Sequence, residues 1–169
     1  DDVSLSSNTS AAVETDSMIS SLLSAVSTIT TSANTPMTAS TAEASLVCLE
    51  SLTSLSPETL SEDDRDDTME TIRYIVNVST RSLGDMSMTA ATSVVLSISN
   101  VISAGLFTSE ATHPSESVSE TLMHLNTLLV AGLSVGEDPV ELTSKHISIT
   151  NHIMSGQYLS SAGGFSVAP

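Results

Sequence analysis

The chain has 169 residues, enough for one domain or one and a fraction, and it carries 20 Asp or Glu against 4 Lys or Arg, a formal charge of −16. That balance excludes a nucleic-acid binder, which needs a basic face for phosphate contacts, and an anionic membrane surface would repel it. Apolar residues make up 40%, with no Trp, 2 Tyr and 2 Phe, so a core must be built from Leu, Ile, Val, Met and Ala. Residues 1–10 are polar and read as a flexible N-terminal segment. A first helix is predicted over 11–31, with Met18, Leu22, Ala25, Val26 and Ile29 on its buried face. Pro36 breaks the chain in the loop 32–39. A second helix is predicted over 41–55, with Ser40 and Glu43 as a capping box and Ala44, Cys48, Leu52 and Leu55 on the inner face. Cys48, the single cysteine, is then most simply a buried thiol, the other reading being a bond to a segment outside this sequence.

Ser56-Pro57-Glu58 is a turn, with Pro57 suited to the first position of a short helical turn. A third helix, 62–83, opens on the acidic run Glu62-Asp63-Asp64-Arg65-Asp66-Asp67, where negative charge matches the helix dipole. Met69, Ile72, Val76 and Leu83 form its stripe, and Gly84 ends it. The fourth helix, 86–107, organises the rest. Met88, Ala91, Val95, Ile98 and Ile102 recur at helical spacing beside Val94, Val101 and Leu106, and Gly105 stands where a left-handed cap is easiest. The loop 108–114 contains His113-Pro114. A fifth helix starts near Ser115, with Ser117 and Glu120 as a second capping box and Val118, Leu122, Leu125 and Leu129 inside. Gly132 and Gly136 bracket its end, and Pro139 forbids its continuation. Breakers and periodicity agree, and short connections favour antiparallel neighbours. After Pro139 the period changes: Val140, Leu142, Ile147, Ile149 and Ile153, then Phe165 and Val167, stand near alternation. The expected fold is therefore mainly α, an antiparallel bundle of about five helices (11–135) followed by a short β-segment tail (136–169).

Gly132-Leu133-Ser134-Val135-Gly136 matches the G-x-S-x-G elbow of serine hydrolases. That elbow needs a strand before the serine and a helix after it, because the sharp turn exposes the nucleophile. Here a helix precedes and Pro139 follows, and the candidate partners Asp138, His146 and His152 are crowded close behind. The motif reads as a glycine-punctuated helix exit, and the chain as non-catalytic. His146 and His152 with Asp138 or Glu141 match no standard zinc spacing, though on one strand the two histidines would share a face. The run 62–67 lacks the glycine and alternating ligands of an EF-hand loop, so it reads as a solvated helix start. The Met residues fall on helical stripes and read as core filling. There is no Gly-rich phosphate loop, no CxxC and no basic aromatic patch, so no cofactor and no metal are expected. No 18-residue apolar run is seen, so no membrane insertion by this segment is expected. About a third of the residues are Ser or Thr, far above average usage. With scarce Lys and the sequons Asn8-Thr9-Ser10 and Asn77-Val78-Ser79, this points outside the cell and makes Asn8 and Asn77 candidate glycan acceptors. Asn77 stands more than a quarter turn from its helix's apolar stripe, which leaves room for a glycan. The chain starts at Asp1 with no signal-peptide pattern, as a processed chain or a piece of a larger one would.

The order of elements resembles a known family. Ser/Thr- and Leu-rich helices, a segment LESLTSLSPETLSEDDRDDTMETI, then Asp138-Pro139-Val140-Glu141-Leu142 and HISITNHIMSGQYLSSAGGFSVAP look like the GAIN region of polycystin-1-like proteins and of the sperm receptor for egg jelly. The likeness covers about 41–169, chiefly in 140–149 and 163–167. It implies a helical subdomain followed by the start of a β-sandwich continuing beyond this chain. His146-Ile147-Ser148 imitates the family's His-Leu-Ser/Thr cleavage tripeptide, but no Trp is present, no Cys is near, and the position is at the start of the sandwich. Self-cleavage is not carried onto these residues. The resemblance implies a structural or adhesion module of a large cell-surface glycoprotein, as on cilia or flagella. Its implied partners are the remaining domains of the same polypeptide and other membrane or extracellular glycoproteins, a polycystin-2-like channel among them. The rival reading from the residues is a subunit of a secreted glycoprotein filament or coat.

Overall fold

The computed structural model describes residues 4–32, 36–84, 86–106, 115–134, 137–153 and 161–167. Five helices come first: α1 (Ser4–Thr31), α2 (Ala39–Leu55), α3 (Glu62–Val78), α4 (Met88–Leu106) and α5 (Ser115–Ala131). A short 3-10 turn (Pro57–Thr59) precedes α3, and a π-helical turn (Ser79–Leu83) extends it. Three strands follow, β1 (Val140–Thr143), β2 (Ile147–Ile153) and β3 (Ser161–Val167). They form one antiparallel sheet in the order β1-β2-β3, with Leu142 opposite Ile149 and Ile149 opposite Phe165. The mainly α fold with a β tail is the one expected from the pattern.

The core is centred on α4. Ala91, Val94, Val95, Ile98 and Val101 are all buried, and so are Ser93, Ser97 and Ser99 between them. α2 and α4 run side by side in the same direction, joined by three successive polar rungs. Ser87 donates to Glu43, Ser93 Oγ to Glu50 Oε2 at 3.0 Å, and Asn100 Nδ2 to Thr53 Oγ1 at 3.2 Å. α1 packs on α3 and α2, and α5 on α3. The sheet closes the end of the same core: Leu142, Ile147 and Ile149 are buried with Val118, Leu122, Leu125 and Leu129 of α5. Each such fully buried Leu or Ile stabilises by about 1.5–3 kcal/mol relative to exposure.

Several local expectations are corrected. α1 begins at Ser4, so the segment 1–10 is helical from its fourth residue rather than a flexible lead. Its inward stripe is Ile19, Leu23, Val26 and Thr30. Met18, Leu22 and Ile29 are 58%, 44% and 70% exposed, and Ala25 is exposed too. α2 is rotated likewise. Ala42, Leu46, Leu49 and Thr53 are buried, Leu52 is half-buried, and Ala44, Cys48 and Leu55 face water. Cys48 is thus a free, exposed thiol rather than a buried one. Both helices carry two apolar stripes, and polar anchors choose between them. Ser20 bonds Asp64 of α3, and Thr30 Oγ1 donates to Ser45 Oγ of α2 at 3.0 Å, which turns the 19/23/26 stripe inward.

The capping boxes also move. α2 is capped by Thr38 with Thr41, not Ser40 with Glu43, and Glu43 instead accepts from Ser87, the residue just before α4. Ser117 and Glu120 lie inside α5, where the Ser117 carbonyl accepts from Thr121. A capping box does form at α3, where Ser61 pairs with Asp64 of the acidic run. Gly84 ends the π-turn at φ +77°, as its position suggests. Gly105 stands within α4 rather than in a left-handed cap. A Cβ there would come 3.2 Å from the Arg65 guanidinium, so the glycine lets α3 approach. Of the methionines, Met69 fills the core, whereas Met18, Met88 and Met123 are exposed.

Candidate functional site

The residues singled out in the sequence are scattered rather than gathered. Ser134 follows the end of α5, and no strand leads into it. Its backbone N–H donates to Glu137 Oε2 at 2.8 Å. Val135 and Gly136, the rest of the G-x-S-x-G match, lie outside the described residues. His113 does too. Asp138 is exposed. His146 lies in the bend before β2 and His152 within β2, so the two do not stand on one strand.

His146 instead joins the sheet to the bundle. It is buried, and its Nε2 shares a 2.8 Å hydrogen bond with Ser103 Oγ of α4. Burial lowers its pKa from the usual 6.5, and the nearby Lys145 cation lowers it further. Both effects favour the neutral ring over the protonated one. No sequence signal links these residues, because they are 43 positions apart and meet only when the sheet docks. A Ser–His pair alone resembles the start of a nucleophilic device; here the bond ties the segment before β2 to α4, a tertiary latch.

The acidic run has divided roles. Glu62, Asp63 and Asp66 are exposed, while Asp64 is buried and accepts three hydrogen bonds at Oδ2: from Ser20 Oγ (2.8 Å), Ser61 Oγ (2.6 Å) and Ser61 N–H (3.1 Å). Among the described residues, no three His, Cys, Asp or Glu side chains come together as ligands for a metal.

Asn77 lies half-buried in an open crevice of about 320 Å³, lined with Glu70, Arg73, Tyr74, Arg81 and Glu120. Two of the chain's four cations are here, offset by two carboxylates. Ser79 of the same sequon is 1% exposed, so a transferase can read Asn77-Val78-Ser79 only before α3 packs. The other sequon, Asn8-Thr9-Ser10, falls within α1. A second open hollow, about 350 Å³, lies between the start of α2 and the join of the π-turn with α4, lined with Ala39, Glu43, Leu83, Met86 and Ala90.

By length and composition alone, α4 from Met88 to Gly105 is apolar enough to cross a membrane, which the interspersed Ser and Thr concealed in the sequence. In the fold, 61% of that stretch is buried among the other elements, so it serves here as the core helix. Comparison of the chain with protein-family models and with curated proteins finds no match to either.

Proposed function

We propose that this chain is a non-catalytic extracellular structural and adhesion module of a large polycystin-1-like membrane glycoprotein, as carried on cilia or flagella. The observation that supports it most is the way its parts join. A helical bundle passes into an antiparallel sheet whose inward residues Leu142, Ile147 and Ile149 share one core with α4 and α5. One continuous core makes the two parts move together and pass force between neighbouring domains without a hinge. The −16 charge keeps such a module soluble and away from anionic surfaces. Its partners would be the remaining domains of the polypeptide, with further β sequence after this segment, and other cell-surface glycoproteins such as a polycystin-2-like channel. Asn8 and Asn77 would carry glycans.

The rival reading, a subunit of a secreted filament or coat, draws support from the exposed apolar stripes on α1 and α2. Intact mass of the natural protein before and after enzymatic deglycosylation, with peptide mapping past Pro169, separates the two. A longer chain with glycan on Asn77 and β-rich sequence following is expected. An unglycosylated chain ending at Pro169 overturns the receptor reading in favour of a small self-assembling protein.

A further inference from the structure

Asn77 is flanked on every side by polar side chains that bond nothing else. Arg73, Asn77 and Arg81 follow one another at four-residue steps along α3 and its π-turn, and Tyr74 stands three residues before Asn77. Residues at such spacings are neighbours on a helix surface, about 5–6 Å apart at Cβ. Glu70 of α3 and Glu120 of α5 complete the lining of the crevice. Among the described residues, no ion pair or side-chain hydrogen bond engages any of these six.

The crevice, about 320 Å³, is at the lower end of the volumes that hold small ligands. Its two guanidiniums and two carboxylates cancel in charge, so it suits a neutral polyol, which a net charge of −16 does not repel. Sugar hydroxyls both donate and accept. The arginines donate to their oxygens and the carboxylates accept from their O–H groups, and bonds to charged groups are the stronger kind. The Tyr74 ring offers an apolar face to the C–H side of a sugar ring. We propose that this crevice is the bed of the glycan on Asn77. Its first N-acetylglucosamine lies over Tyr74, held by Arg73 and Arg81 on one side and by Glu120 on the other, so that the sugar joins α3 to α5. The inference rests on the proposed glycosylation of Asn77. A sugar on Asn77 Nδ2 meets these side chains at once, because they stand one turn before and one turn after its root. The burial of Ser79 fixes the order of events: the sequon is read before α3 packs, and the helices then close beside a sugar already in place.

The test compares the chain secreted by glycosylating eukaryotic cells with the same chain made in bacteria, which carries no glycan. Both carry Asn8→Gln, so that Asn77 alone is in question. Peptide mass first establishes whether Asn77 is occupied. The occupied chain should melt higher than the bare one by about 3 °C. Arg73→Ala/Arg81→Ala, at two exposed positions, should abolish that difference while leaving the bare chain's melting temperature nearly unchanged. An unoccupied Asn77 overturns the proposal together with the glycosylation on which it rests. An occupied Asn77 whose effect on melting is the same with and without the arginines overturns the bed alone, and the glycan is then a solvated chain. Should the double variant fail to fold, Glu120→Ala on α5 carries the same comparison, and a glycan effect that survives it unchanged overturns the proposal.

Discussion

Ser20 Oγ donates a 2.8 Å hydrogen bond to Oδ2 of Asp64, across 44 residues of chain. The same oxygen closes the capping box with Ser61, so one carboxylate both starts α3 and sets the rotation of α1. Asp64→Ala leaves Ser20 and the α3 N-terminus without their acceptor, and should cost about 2–3 kcal/mol. Ser20→Ala, which removes one bond only, should cost about 1 kcal/mol. Urea unfolding of both variants checks the order. An Asp64→Ala chain as stable as the native one would show that the carboxylate is not the anchor.

His146 makes a pH-dependent contribution. Its pKa is lowered in the folded state by burial and then by Lys145, so below pH 6.5 the unfolded chain takes up a proton that the folded chain resists. Stability is therefore unaffected by this group above its unfolded pKa and falls as pH drops from there through the folded value. Between about pH 7.5 and 5.5 the native melting temperature should therefore decline through this group. His146→Gln should flatten that slope. Equal slopes in the two proteins would remove the assignment.

Among the described residues, several buried side-chain polar atoms have no hydrogen-bond partner, the Ser97 hydroxyl on α4 and both amide atoms of Asn151 on β2 among them, and these two residues are 0% exposed. Ser97→Ala removes an unpaired hydroxyl and improves helix propensity, so a gain of about 0.5–1 kcal/mol is expected. Asn151→Leu should gain about 1 kcal/mol for the same reason. Thermal melts showing losses instead would mean that these groups are satisfied in solution.

With 20 carboxylates and 4 cations, self-repulsion opposes the compact state. Raising sodium chloride from low to moderate concentration should raise the melting temperature, because exposed charges are screened beyond about 10 Å at 0.1 M salt. A melting temperature indifferent to salt would assign the repulsion no role.

Helix count, breakers and the change of period after Pro139 were legible in the sequence, because backbone propensity and apolar spacing act locally. Most of the α4 stripe and all of the α5 stripe were legible too, since each of these helices has one clear apolar face: Val95 and Ile98, or Leu122 and Leu125, have nowhere to go but inward, whereas Met88, the first residue of α4, is 47% exposed. α1 and α2 were different. Met18 and Ile19, or Cys48 and Leu49, are neighbours of nearly equal apolarity, and periodicity selects neither. Their sides were decided by bonds to residues far along the chain, Ser20 to Asp64 and Glu50 to Ser93. The Ser103–His146 latch arose the same way. Composition alone determined the acidic, aliphatic, cation-poor character of this protein. Only the tertiary structure decided which apolar stripe is core and which is left on the surface, because hydrophobic burial is non-directional and only long-range polar contacts break the tie.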